Sequence, residues 1–511
     1  MALRTVSAAA LLVALSWTTA AAQDARAVVA AAAKAMGTET LNSITYSGTA
    51  RNGAFGQSKS IGNPMGPVNL TQITQYTRTI NFEKGEPTAL VSRATGPTQP
   101  PTVPGVPAPM PGVFNQNITN QQVSNNWNQA LNFWLTPWGF VKGAAASNAT
   151  VRKDGGQQVV SFSPAGFKSP SDQMYTVTGY INNQNLVTKV ETRVEHAVAG
   201  DLLVEFEYSN YQNMNGVQVP TRIVQRQAGL PTFEANITAA TPNPSNLAQL
   251  LTVPPPPARG GGAGGPAAPP AGAAAQGGRG AAPAGAAPQA PAPAVEKLGD
   301  GVFKIGGNYA ALAVDMGDHI LVVESGGSDA RGMEVMAAAK QAIPGKPVRF
   351  VVNSHPHFDH ASGLAAAAAE GATILTHKNN EDALKKLMSY PRTLTGDSLS
   401  KASNRRVNID GIGDRDVRKG SNGKVVELHR VANEHSDGML IVYLPAEKVV
   451  WSADVTAINP SPAQLPVTKA VSDTLTRLKL DYNRFLTAHP PAPDPGRPLT
   501  REDVMKAVGT N

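Results

Sequence analysis

The first half of the chain alternates apolar and polar residues with a period of two, and the second half does not. An Ala-rich stretch from Asp24 to Met36 repeats its apolar positions every three to four residues and predicts a helix. From there to about Asn246 the pattern predicts strands over Ser43–Ala50, Gln75–Phe82, Ala89–Ala94, Gln157–Ser163, Met174–Ile181, Leu186–Val194, Leu202–Tyr208 and Gln218–Gln227. Asn182 to Asn185 and Asn213 to Gly216 separate successive pairs as hairpin turns, and Pro-rich Pro97–Gly112 is a loop. The expected fold of this half is a mostly antiparallel, curved β-sheet with an N-terminal helix. Trp127, Phe133, Trp134, Trp138 and Phe140 form an aromatic cluster that we assign to core packing.

The second half alternates strand and helix patterns. Strands are expected over Val302–Ile305, Ala310–Asp315, His319–Glu324, Val348–Asn353, Thr373–Thr376, Val425–Val431, Leu440–Leu444, Val449–Trp451 and Phe485–Thr487. Helices are expected over Ala330–Ile343, Leu364–Glu370, Glu381–Ser389 and Ala470–Leu478. Such an order predicts an α/β architecture of sheets covered by helices. Between the halves, Pro254–Pro293 is almost wholly Pro, Gly and Ala, which cannot bury enough apolar surface to offset its ordering entropy, so a disordered tether is expected there. The organisation is therefore a leader at 1–22, a β-rich N-terminal domain at 23–250, a linker at 251–295 and an α/β domain at 296–511.

Composition changes this picture in three places. The net charge of +7 is spread over 511 residues, which gives no basis for a nucleic-acid partner. The one basic concentration, Lys401 to Lys419, is diluted by Asp410, Asp414 and Asp416 and reads as a solvated loop. There is no cysteine, which excludes disulfides, a lipid anchor on an N-terminal Cys, and thiolate metal ligation. Met1–Ala22 has the positive start, apolar stretch and small-residue end of a secretory signal, predicting a periplasmic or secreted protein. No later segment is long and apolar enough to span a membrane.

The chemistry concentrates at the end of Val348–Asn353. His355, His357, Asp359 and His360 stand within six residues on the turn that follows this strand, a rigid place for imidazole and carboxylate donors that suit zinc and its neighbours. His435 precedes the apolar run Met439–Leu444, Asp454 follows Val449–Trp451, and His489 follows Phe485–Thr487. Five of the nine histidines belong to this set. Asn353, Ser354, Ser436 and Asp437 flank these donors and are candidates to orient them. His319, His377, His429 and Tyr443 read as structural, and His196 stands alone.

From about Gly299 onward, the H-x-H-x-D-H signature and the ordered His, Asp and His resemble the metallo-β-lactamase superfamily of hydrolases. The resemblance implies an αββα sandwich with a metal site at one edge between two sheets. It assigns His355, His357 and His435 to one ion, Asp359, His360 and His489 to a second, and Asp454 to a bridge. The implied cofactors are two divalent ions, zinc foremost, with iron or manganese as alternatives. Two cations sharing a water lower its pKa from about 15.7 to near 7, leaving a hydroxide to attack a carbonyl. Asp359 is then the candidate to shuttle the proton. The expected partner is a small-molecule substrate with an ester, thioester, lactone or lactam bond. The N-terminal half is loosely similar to the half-barrels of periplasmic lipoprotein carriers. That gives the alternative reading: a carrier for an apolar ligand with an accessory or inactive metal domain.

Overall fold

The computed structural model describes residues 24–83, 88–95, 112–117, 131–252, 293–307, 309–404, 406–455, 457–461, 464–489 and 497–509. The leader at 1–22, the Pro-rich loop at 97–111, Trp127 and most of the 251–295 linker lie outside the described residues.

A helix covers residues 24–36, as its periodicity predicts, and the alternating pattern of the first half becomes one eleven-stranded antiparallel sheet. Each expected strand of this half is present with shifted ends; the strand expected over Leu202–Tyr208 runs from Gly200 to Met214. Leu230–Pro242, which the alternation did not signal, joins the N-terminal strand Ser43–Asn52 to the centre of the sheet. Trp138, Phe140 and Phe133 are buried in the core, as expected of the aromatic cluster. The Trp138 indole donates to the Gln218 carbonyl at 3.0 Å, so its one polar group is satisfied.

The second half is built on a seven-stranded and a five-stranded sheet, with helices packed against them, the α/β architecture expected of it. Alternate residues of one strand serve two different cores. Ile320 and Val322 face the helices Asp329–Ala342 and Leu364–Ala369, whereas Leu321 and Val323 face the other sheet. Across the gap, Leu440, Val442 and Leu444 fill the layer between the sheets, and Met439, Ile441 and Tyr443 pack under helix Leu465–Arg477. Strands covered on both faces have no place for a polar side chain except at their ends.

One expectation fails here. The basic stretch Lys401–Lys419 is not a loop throughout: Asn408–Ile412 forms one edge of the seven-stranded sheet and Arg415–Lys419 one edge of the five-stranded sheet. Edge strands tolerate charge because one side meets solvent, and that hid the strand pattern. Arg418 pairs there with Asp416 and Asp410, and Arg415 with Glu427.

The two halves touch. Asp201 accepts hydrogen bonds from the Thr393 amide (2.9 Å), the Thr393 hydroxyl (2.7 Å) and the Leu394 amide (2.9 Å). Arg392 donates to the Val198 carbonyl at 2.5 Å. Phe55 and Ile61 from the first half share a continuous apolar cluster with Phe358, Leu387 and Leu394 from the second.

Beside this contact, both carboxylate oxygens of Glu195 are buried without a hydrogen-bond partner among the described residues. Burial, helped by the charge of Asp201 across the strand pair, pushes Glu195 from the usual 4.5 up to about 8. Below the unfolded value both states hold the proton, and Glu195 has no effect on stability. As pH rises from there to about 8 the unfolded chain releases it while the folded protein does not, so stability is lost across this window. Glu195→Gln should abolish that loss. Thermal melts from pH 4.5 to 8.5 are expected to show the variant gaining on the wild type by a few kcal/mol toward the upper end, on the scale of about 1.4 kcal/mol per pH unit.

Candidate metal centre

The site lies where strand ends from both sheets converge. Val348–Val352 of the larger sheet runs into the turn bearing His355 to His360. In the smaller sheet, Val449–Ser452 and Arg484–Leu486 run parallel and end at Asp454 and His489, and His435 precedes antiparallel Met439–Leu444. The Leu440 amide donates to the Ser354 carbonyl at 2.8 Å, tying the two sheets together beside the site.

All seven predicted donors meet. The atoms of His355, His357, His435 and Asp454 lie within 4.8 Å of one another, as do those of Asp359, His360, Asp454 and His489. Asp454 belongs to both sets and gives each a different oxygen. Its Oδ2 faces His435 (2.8 Å) and His355 (3.2 Å), and its Oδ1 faces His360 and His489 (both 2.8 Å). Asp454 adopts φ 52°, a left-handed backbone uncommon for a residue with a side chain and often found at functional sites.

The outward ring atoms settle how each imidazole points. His355 Nδ1 meets the Ser354 hydroxyl at 3.0 Å, so Nε2 faces the cluster. His360 Nδ1 meets Glu324 Oε2 at 3.1 Å, so its Nε2 faces inward as well. His357 is turned the other way: Nε2 lies 3.2 Å from the Ser58 carbonyl, and buried Nδ1 has no hydrogen-bond partner among the described residues. A buried lone pair without a donor, aimed into a ring of imidazoles and carboxylates, is what a cation ligand looks like. Inward nitrogens also approach one another, His435 to His355 at 3.1 Å and His489 to His360 at 3.3 Å, a spacing that suits shared coordination. The donor set fits divalent metal.

Charge divides the site. Burial, with His360 nearby, pushes His355 down to about 4, and burial with His435 holds His357 well below the ordinary imidazole range, so both rings are neutral. Burial opposes charge on His360 too, but Asp454, Asp359 and Glu324 outweigh it and hold His360 well above its ordinary value. Asp359 and Asp454 overcome the same penalty at His489, which rises to about 9. Burial would raise both Asp359 and Asp454, yet the imidazoles beside them, His360 first, hold both carboxyls well below the usual range. Anionic carboxylates and neutral imidazoles are the forms that bind metal, so a cation on the Asp359 side would displace the protons that His360 and His489 hold. The His489 side chain is 40 % exposed and that of Asp359 29 %, whereas His355 is wholly buried, so the site opens on the Asp359–His489 side. The Tyr309 ring stands edge-on to His489 at 5.0 Å beside that opening.

Of the flanking candidates, Ser354 orients a donor through its side chain, and the Asn353 amide reaches the His360 carbonyl at 3.4 Å. The Ser436 amide instead holds a local turn to Asn433, and the Asp437 amide donates to the Lys59 carbonyl of the first half. His377 caps helix Lys378–Met388, His319 and His429 pair with Asp318 and Glu427, and the Tyr443 hydroxyl donates to the Asp481 carbonyl, all structural as expected. His196 joins no donor cluster among the described residues, and its ring packs against Phe358 at 4.5 Å in the contact between the halves.

Residues 306–489 match the family model of the metallo-beta-lactamase superfamily. A curated relative, the 2,4-dinitroanisole O-demethylase subunit alpha of Nocardioides sp. (strain JS1661), is 24% identical over 198 residues, 37% of this chain. The chain spans about half the length of that relative, 53%. Solved structures that resemble it include a metallo beta lactamase from Erythrobacter litoralis (16% identity, TM-score 0.31, covering 43% of this chain and 96% of that one). Another comes from Hirschia baltica (20% identity, TM-score 0.32, covering 42% and 96%).

Sequence reasoning missed Glu324, Gln57 and the Ser58 carbonyl. Glu324 is 1 % exposed, has φ 69°, and accepts from the Ser354 amide at 3.1 Å while holding His360. It closes the strand expected over His319–Glu324, so its position was foreseen but not its use. Glu324→Ala strands the buried Ser354 N–H and is expected to cost about 1–3 kcal/mol of stability. It should also weaken metal binding roughly 10- to 100-fold. Denaturant melts and zinc titrations check the two effects, and Glu324→Gln, which keeps an acceptor, should lose less of both.

Proposed function

We propose that the protein is a metal-dependent hydrolase with a dinuclear centre, acting on an ester, thioester, lactone or lactam carbonyl. The observation that carries this reading is Asp454, which gives one oxygen to each of two donor sets. His355, His357 and His435 would hold one cation, and Asp359, His360 and His489 the other, with zinc the ion best matched to these ligands. When bound, such a pair supplies Lewis acidity toward a carbonyl and lowers the pKa of water.

The chain's own residues have distinct tasks. Glu324 and Ser354 fix the His360 and His355 rings so that their Nε2 atoms point inward. Asp359 Oδ2 lies on the open side, 3.5 Å from His489, where a carboxylate can take a proton from an attacking water and return it to a leaving group. His355 is wholly buried, which keeps bulk water from that side of the site. The sequence of residues 1–22 adds export to the proposal, placing the substrate outside the cytoplasm.

The test is metal analysis of the purified full-length chain, followed by a panel of chromogenic esters, thioesters, lactones and lactams. Because the curated relative is named for O-demethylation, an aryl methyl ether belongs in the panel. About two equivalents of metal are expected. Chelation should abolish turnover and readdition restore it, and His357→Ala or Asp454→Ala should lower kcat/KM by more than about 100-fold, beyond what outer partners cost. Wild-type protein that takes up no metal, or variants that turn over like the wild type, would overturn the reading.

A further inference from the structure

Gly53–Leu70 connects strands Ser43–Asn52 and Thr71–Asn81 of the N-terminal sheet. Eighteen residues is long for a connection between paired strands, and such loops are usually functional. This one is firmly built. The Gly53 amide donates to the Thr232 carbonyl at 2.9 Å, the Ala54 amide to Pro64 at 3.0 Å, and the Lys59 amide to the Asn69 side chain at 2.9 Å. Phe55, Ser58 and Ile61 within it are buried.

The loop lies directly on the turn that carries the donors. The Phe358 amide donates to the Gly56 carbonyl at 2.9 Å, and the Asp437 amide donates to the Lys59 carbonyl at 2.8 Å. Gly56 has φ +77°, and a β-carbon there would come within 2.0 Å of the Phe358 ring, so the approach requires glycine. Two contacts then reach the donors. The Gln57 amide donates to Asp359 Oδ1 at 2.8 Å, leaving Oδ2 toward His360 and His489. The Ser58 carbonyl takes the Nε2 hydrogen of His357, leaving Nδ1 as the inward donor. Each donor set thus has one ligand oriented by the N-terminal half.

We propose that this loop is a working part of the metal centre: Gln57 is a positioning residue for Asp359, the Ser58 carbonyl fixes the ring of His357, and metal occupancy depends on the N-terminal sheet. The inference rests on the reading of the site as a metal centre. Its physical basis is that an outer hydrogen bond fixes a ligand's orientation and so reduces the freedom lost when metal binds. Gln57 acts on the Asp359 set alone, which predicts unequal effects on the two ions.

The experiment is calorimetric zinc titration of the metal-free, full-length wild type, Gln57→Ala and Gln57→Glu, with thermal melts of each metal-free protein. Gln57→Ala should keep the first equivalent at wild-type affinity and weaken the second roughly 10- to 100-fold. Its metal-free melting temperature should stay close to that of the wild type. Gln57→Glu preserves size but removes the donor, so it should be at least as impaired. Wild-type affinity for both equivalents in Gln57→Ala overturns the inference. So does wild-type affinity in Gln57→Glu, which would show that the side chain acts by packing. A wild type that binds no zinc instead overturns the metal centre itself.

Discussion

The site depends on one carboxylate facing four imidazoles. Asp454 projects from a left-handed backbone position at the end of a buried strand, and both of its oxygens are engaged by rings from other parts of the chain. Taking such groups out of water costs several kcal/mol per charge, and only close, well-directed partners offset it. That constraint explains why the donors are held from behind as well as from in front. Ser354, Glu324 and the Ser58 carbonyl each take the outer atom of an imidazole and leave one orientation for the inner atom.

The fold makes this arrangement attainable by giving polar groups only one place to go. Strands such as Ile320–Val323 and Met439–Leu444 are buried on both faces, so the chain turns polar where they stop. Because the interior strands of the two sheets stop at a common edge, donors from positions 355 to 489 collect there. The edge strands do the opposite work: Asn408–Ile412 and Arg415–Lys419 carry the charge that keeps each sheet from extending.

The primary donors were legible because metal chemistry restricts residue type, and few sequences place five histidines and two aspartates at strand ends by accident. The interior strands of the second half were legible because their apolar runs are uninterrupted. Leu230–Pro242 was not, since prolines, threonines and asparagine dilute its alternation and its pairing with Ser43–Asn52 is a tertiary fact. Gln57 and Ser58 were invisible for a deeper reason. A carbonyl oxygen has no residue identity, and one glutamine in a loop gains meaning only when another part of the chain is laid across it. Glu324 lies between these cases, a carboxylate at a strand end whose partner, His360, is 36 positions away.

Contact between Gly53–Leu70 and the His355–His360 turn has a consequence for the order in which the molecule is made. A chain synthesised from its N-terminus produces the bracing surface some three hundred residues before the ligands it braces, and His489 comes later still. Contacts so distant in sequence form late and slowly. The complete donor set can therefore assemble only after His489 has been made, whereas the loop that braces Asp359 and His357 is made first.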